Sequence, residues 1–248
     1  MPGAGNPQSL NRYTYVYNNP LAYVDPDGNC PVWFYFVVRG INEATWAMIP
    51  NMDRVRRDQV GGSLVTQLSP IISTQASKQH VDPVVLSAIL RHESAAVERR
   101  TFTLLPTMQP GVLSSAMEAA QVLLLGEESS IGPAQMQVRR ARELEQLGYV
   151  TSRRSGAGTV FSLLDREGAV HYATGMVRYL SDRLHGIPSF SSLTSEQQQR
   201  LLLIGYNLGW DGDKGLRANI EKHGFDWVID YFDYDNQTLD EYLRWVSR

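Results

Sequence analysis

Hydrophobic positions along the 248-residue chain fall mostly at helical spacing from about residue 80 onward. The densest run is residues 80–94, HVDPVVLSAILRHES. Asp82 is placed to cap the first free amides, and Pro83 takes the first helical position, where its missing N–H costs nothing. Val81 and Leu86 have the spacing of a hydrophobic staple. Val84, Val85, Leu86, Ala88, Ile89 and Leu90 leave few polar positions, so this helix is expected to be buried on most sides and to end at Glu93-Ser94. Residues 115–125 predict a further helix, and residues 133–147 another, opening at Pro133 and stopping at Gly148. Over residues 163–184, Ala169, Tyr172, Ala173, Met176, Tyr179 and Leu180 form a stripe expected to be core. Thr194 and Gln197 have capping-box spacing before an apolar helix at 201–208, and residues 215–248 predict two or three short helices.

The first thirty residues have a different period. Tyr13, Tyr15 and Tyr17 alternate with Thr14 and Val16, a strand pattern, and Asn18-Asn19-Pro20 makes a turn. Residues 21–24 predict a second short strand, closed by Asp25-Pro26-Asp27-Gly28. Two such strands cannot stand alone, so the segment is expected to end a larger β structure. Residues 31–78 are less patterned, and 63–77 could be a short helix or a loop. The expected organisation is therefore a β segment over 1–30, a linker and lead-in over 31–78, and a mainly α domain over 79–248.

Composition changes this picture little. A net charge of -3 provides no general attraction to nucleic acid. The single cysteine, Cys30, excludes an intrachain disulfide and a cysteine-built zinc site. His92-Glu93 lacks the second histidine of a His-Glu-x-x-His zinc motif, because Ala96 stands there, and no cofactor is expected. The longest apolar run, 31–38, is too short to span a membrane. No basic-then-apolar leader opens the chain, so export is expected to depend on another element.

Three places carry candidate chemistry. Glu93 lies on the line of Val85 and Ile89 at i, i+4 spacing, which puts a carboxylate on a buried stripe. Burial and the negative end of the helix are both expected to raise its pKa; the competing expectation is a solvated helix end. Arg91, two residues away, points to nearly the opposite face. The run SSIGPAQMQV brings Gly132 and the Gln135 amide to a turn, where they could approach a ligand or simply join two elements. Tyr206-Asn207 ends an apolar helix beside Gly209-Trp210-Asp211-Gly212, a mixture of planar apolar faces and amide or hydroxyl groups that suits sugar rings.

Two resemblances organise these residues. NRYTYVYNNPLAYVDPDG, residues 11–28, resembles the closing motif of the Rhs (YD-repeat) core, a β shell followed by a variable C-terminal toxin. Asp25 matches an aspartate that this family often uses for self-cleavage, although Asn29 stands where leucine is common. Residues 79–212 resemble the lysozyme-like soluble lytic transglycosylases. DPVVLSAILRHES matches the helix ending in the catalytic Glu-Ser, and SSIGPAQMQV is similar to Ser-x-x-Gly-Leu-Met-Gln. YATGMVRYL resembles the helix ending in Tyr-Leu, and GYNLGW resembles Ala-Tyr-Asn-Ala-Gly. The resemblance implies that Glu93 is the catalytic acid, with Ser94, Gly132, Gln135, Met136, Tyr179, Tyr206 and Asn207 on the substrate side. The interval between Glu93 and Gly132 is longer than in the family, Pro133-Ala134 replaces Leu-Met, and Gly205 replaces an alanine.

The implied activity is cleavage of the β-1,4 MurNAc–GlcNAc bond of peptidoglycan by an antibacterial toxin delivered to the periplasm of a target cell. Its implied partners are the glycan strands, the parent Rhs shell and an immunity protein, with no nucleic acid and no membrane span. A hydrolase needs a second carboxylate, and Glu127, Glu128 and Asp211 lie near the motifs but are expected to be solvated. The family's one-acid route gives a 1,6-anhydro product without water. A water-using muramidase and a non-catalytic wall-binding module remain as alternatives.

Overall fold

In a computed structural model, which describes residues 57–101, 122, 126–151 and 158–247, the helical unit opens earlier than the sequence suggests. These residues all belong to a compact unit, Asp53–Arg248. The β segment expected over 1–30, Asp25 within it, and the apolar run 31–38 lie outside the described residues, as does all of the helix expected over 115–125 except Val122, which is helical. A π-helical turn, Arg57–Gly61, leads into α1 (Gly62–Gln79). Leu64, Val65, Leu68, Ile72 and Ala76 of α1 are buried, so the expected lead-in supplies a core helix and the unit begins well before residue 79. An internal proline, Pro70, among serines, threonines and glutamines obscures this helix in the sequence.

His80, in the left-handed conformation at φ 55°, closes α1. The next helix, α2 (Pro83–Thr101), starts as expected: an Asp82 carboxylate oxygen accepts from the Val84 amide at 2.7 Å. It does not stop at Ser94 but continues to Thr101. Strands β1 (Ser130–Ile131) and β2 (Met136–Gln137) pair antiparallel, with Ser130 opposite Gln137 and Ile131 opposite Met136. The helix expected from Pro133 therefore begins only at Val138, as α3 (Val138–Gln146). Gly132 at φ 74° and Gln135 at φ 44° are left-handed, which no right-handed helix accommodates.

The helix expected over 163–184 is likewise two, α4 (Gly158–Leu164) and α5 (Arg166–His185). Asp165 separates them by capping α5 through the Gly168 amide at 2.9 Å. A 3-10 turn, Pro188–Ser192, precedes α6 (Ser195–Leu208). Here the capping box forms as read: the Gln197 amide donates to Thr194 Oγ1 at 3.2 Å, and the Thr194 amide donates to Gln197 Oε1 at 2.9 Å. Three helices close the unit, α7 (Leu216–His223), α8 (Phe225–Tyr231) and α9 (Asp233–Val246).

Among the described residues the architecture is mainly α, with nine α-helices and one two-residue hairpin. Helices α2 and α5 divide the core between them. Leu86 and Leu90 of α2 pack with α1 and with Ala169, Val170 and Ala173 of α5. Val85, Ala88 and Ile89 pack on the other side with Tyr172, Met176, Val177 and Leu180 of α5, and with α3, α6 and α8. Such two-sided burial explains why α2 reads as apolar nearly all round. Arg91 of α2 is buried at 1 % exposure. It pairs with Asp58 of the π turn, lies 3.6 Å from Glu241 of α9, and faces the Trp245 ring at 6.0 Å. No described helix is long and apolar enough to cross a membrane.

Candidate active site

Val85, Ile89 and Glu93 follow one another at four-residue spacing along α2. The first two are buried and Glu93 is half-buried, so the stripe emerges from the core at the carboxylate. Because α2 runs two turns further, Glu93 lies inside the helix. The helix end that the sequence reading places beside it is not there.

The hairpin forms the second wall. Its turn is closed by the Gln135 amide on the Gly132 carbonyl at 2.9 Å, and Gln135 Nε2 donates to the same oxygen at 3.0 Å. Gln135 is a non-glycine residue in left-handed backbone, a conformation that costs free energy and persists only where its surroundings impose it. One such constraint comes from α6: the Tyr206 hydroxyl donates to the Ala134 carbonyl at 2.7 Å. Burial, and next the negative charge of Glu93, push the Tyr206 pKa well above its ordinary value, with Arg140 opposing. Its hydroxyl therefore remains a donor at any physiological pH.

Glu93, Gln135, Met136, Tyr206 and Asn207 share one cavity of about 360 Å³. Four chain segments meet there, from α2, the β1–β2 hairpin with the start of α3, α5 and α6. No protein-family model, curated protein or solved structure matches the chain.

Three residues expected on the substrate side do not line this cavity. Ser94 is buried at 6 % exposure, and its hydroxyl has no hydrogen-bond partner among the described residues. Gly132 shapes the turn, since a Cβ on it would run into the Leu163 carbonyl. Tyr179 is buried behind the site, edge-on to Tyr149 at 5.3 Å, with its hydroxyl 3.3 Å from Asp211. Burial, then Asp211, raise the Tyr179 pKa, and Arg183 over its ring opposes them.

The cavity also contains Met176, expected in the core stripe, and four residues to which the sequence reading gives no site role: Ser130, Gln137, Arg140 and Leu208. Arg140 is the informative one. It stands four residues before buried Leu144 on α3, the same spacing that singles out Glu93 behind Ile89. Its neighbours Arg139 and Arg142 turn outward, Arg139 to Glu128 and Glu143 at 2.6 Å and Arg142 to Glu127. These pairs hold Glu127 and Glu128 on the exposed surface. Asp211 also stays outside the cavity, so Glu93 is the one carboxylate among the described residues lining it. Among the described residues, no group of three or more histidine, cysteine or acidic side chains could hold a metal.

Proposed function

We propose that this chain cleaves the β-1,4 bond between MurNAc and GlcNAc in peptidoglycan, as a lytic transglycosylase with Glu93 as its acid and base. The observation that carries the reading is the gathering of Glu93, Gln135, Met136, Tyr206 and Asn207, residues from three separated motifs, around one cavity. Glycosidic cleavage requires an acid that protonates the leaving oxygen while positive charge develops on the sugar ring. Glu93 suits that task because it is a partly desolvated carboxyl facing a cavity. The lone lining carboxylate favours the one-acid route over hydrolysis, which needs a second carboxylate to activate water or attack carbon. As carboxylate, Glu93 then takes the proton of the sugar's own C6 hydroxyl, whose oxygen closes on C1.

Tyr206 serves this scheme from behind. Its hydroxyl is committed to Ala134, which fixes the turn carrying Gln135 relative to the helix carrying Asn207. Gln135 and Asn207 then offer amides to sugar hydroxyls, and half-buried Leu208 provides apolar surface, backed by the buried Met136 and Met176. The lysozyme-like family membership belongs to this proposal, as does delivery by an Rhs shell into the periplasm of a competing bacterium, with an immunity protein in the producer.

The test is product analysis on purified peptidoglycan with the full chain. Soluble muropeptides with anhydro ends, one water lighter than reducing ends, are expected from the wild type, and none from Glu93→Gln. Reducing ends would replace the lyase by a muramidase. Sedimentation with the wall but no soluble fragments, or a Glu93→Gln chain as active as the wild type, would overturn the enzyme.

A further inference from the structure

Every charged side chain in the cavity needs a purpose, and the glycosidic chemistry above uses only Glu93. Arg140 is the other charged group there. Its guanidinium lies against Gly209, occupying the space a Cβ would need, so a close backbone approach at φ 81° makes room for it. Burial, the largest influence, lowers its pKa, with Glu143 opposing; the ordinary arginine value is so high that the group stays cationic. Of the three arginines on α3, Arg139 and Arg142 each meet carboxylates. Arg140 has no ion pair or hydrogen bond among the described residues. A half-buried cation facing a cavity with no carboxylate in direct contact among the described residues is a costly arrangement, and a bound anion relieves it.

We infer that Arg140 is a specificity determinant that binds a carboxylate carried by the MurNAc unit of the glycan strand. The inference rests on the peptidoglycan reading and extends it, because a neutral polymer of GlcNAc offers no such group. Guanidinium matches a carboxylate through two parallel N–H donors, a geometry that lysine's single ammonium does not reproduce. Two carboxylates on the strand share this chemistry. One is the lactyl carboxylate, free when the stem peptide is absent, and the other belongs to the stem peptide itself.

The experiment measures binding to the full chain carrying Glu93→Gln, so that no probe is consumed. Four tetrasaccharides serve as probes: stem-free GlcNAc–MurNAc, its lactyl methyl ester, the stem-bearing form, and neutral GlcNAc tetramer. Changing Arg140→Gln is expected to weaken a carboxylate-bearing probe by about tenfold or more and to leave the methyl ester and the neutral tetramer unchanged. A loss confined to the stem-free probe assigns the lactyl carboxylate, and one confined to the stem-bearing probe assigns the stem. Arg140→Lys, which keeps the charge but not the fork, is expected to fall between wild type and Arg140→Gln. Equal weakening of all four probes, or of none, overturns the inference. If the wild-type chain cuts peptidoglycan while Arg140→Gln keeps full charge selectivity, only the role of Arg140 fails. If the chain binds no probe and cuts nothing, the peptidoglycan reading fails with it.

Discussion

Tyr206 shows how one side chain can carry both architecture and chemistry. Its hydroxyl satisfies the carbonyl of Ala134, a residue only 1 % exposed, so removing it strands a buried acceptor. Tyr206→Phe is expected to lower the unfolding free energy by about 1–3 kcal/mol at neutral pH, read from denaturant curves. Its pH dependence has a definite sign. The folded-state pKa is raised, so the folded chain holds the proton more tightly than the unfolded one. That contribution is intact below the ordinary tyrosine value of 10.0 and is lost as pH rises from there toward the folded-state value. Stability should therefore fall on the alkaline side, and Tyr206→Phe should flatten that fall; an unchanged alkaline slope would contradict the assignment. Glu93 was legible in the sequence because a carboxylate on an apolar stripe is conspicuous. Arg140 obeys the same rule but stands in a run of arginines, and what sets it apart is tertiary: Arg139 and Arg142 pair with surface carboxylates while Arg140 lines the cavity.

At the scale of the element, the hairpin between β1 and β2 decides where Gln135 stands. Its turn needs two left-handed residues, of which Gly132 also touches the Leu163 carbonyl of α4. Gly132→Ala is expected to cost about 2 kcal/mol or more, from the left-handed penalty and the collision together. Gln135→Gly is expected to behave oppositely in stability, neutral or slightly stabilising, because glycine accepts φ 44° without strain. Yet it removes the amide from the cavity, so lysis of peptidoglycan should drop while the melting temperature holds. If activity and melting temperature fell together in Gln135→Gly, the amide would be structural. The sequence reading assigned these residues to a helix from Pro133, since proline at a first helical position is a common signal. Proline also fits a tight turn, and local pattern cannot separate the two.

Across the whole molecule, the helix bearing Glu93 is held from both sides. Helix α1 covers one face of it, and Arg91 ties it to Asp58 and Glu241 at the two ends of the unit. A chain cut to residues 79–248 would lose Leu64, Leu68 and Ile72 from the core and leave Arg91 without Asp58. Such a chain is expected to lack a cooperative thermal transition by circular dichroism, whereas one cut to 53–248 should retain it. Cooperative unfolding of the shorter chain would show α1 to be dispensable.

The sequence by itself determined the helix starts at Asp82-Pro83 and Thr194, the stop at Gly148, the buried stripe of α5 and the candidacy of Glu93. Each of these rests on interactions between residues a few positions apart, such as a cap, a proline ring or an i, i+4 stripe, which the chain specifies locally. Only the tertiary structure decided that residues 62–79 are core, that residues 132–135 turn rather than coil, and that Arg140 joins Glu93 in one cavity. Those outcomes depend on which distant surface each segment is buried against, and that is settled by packing across the fold.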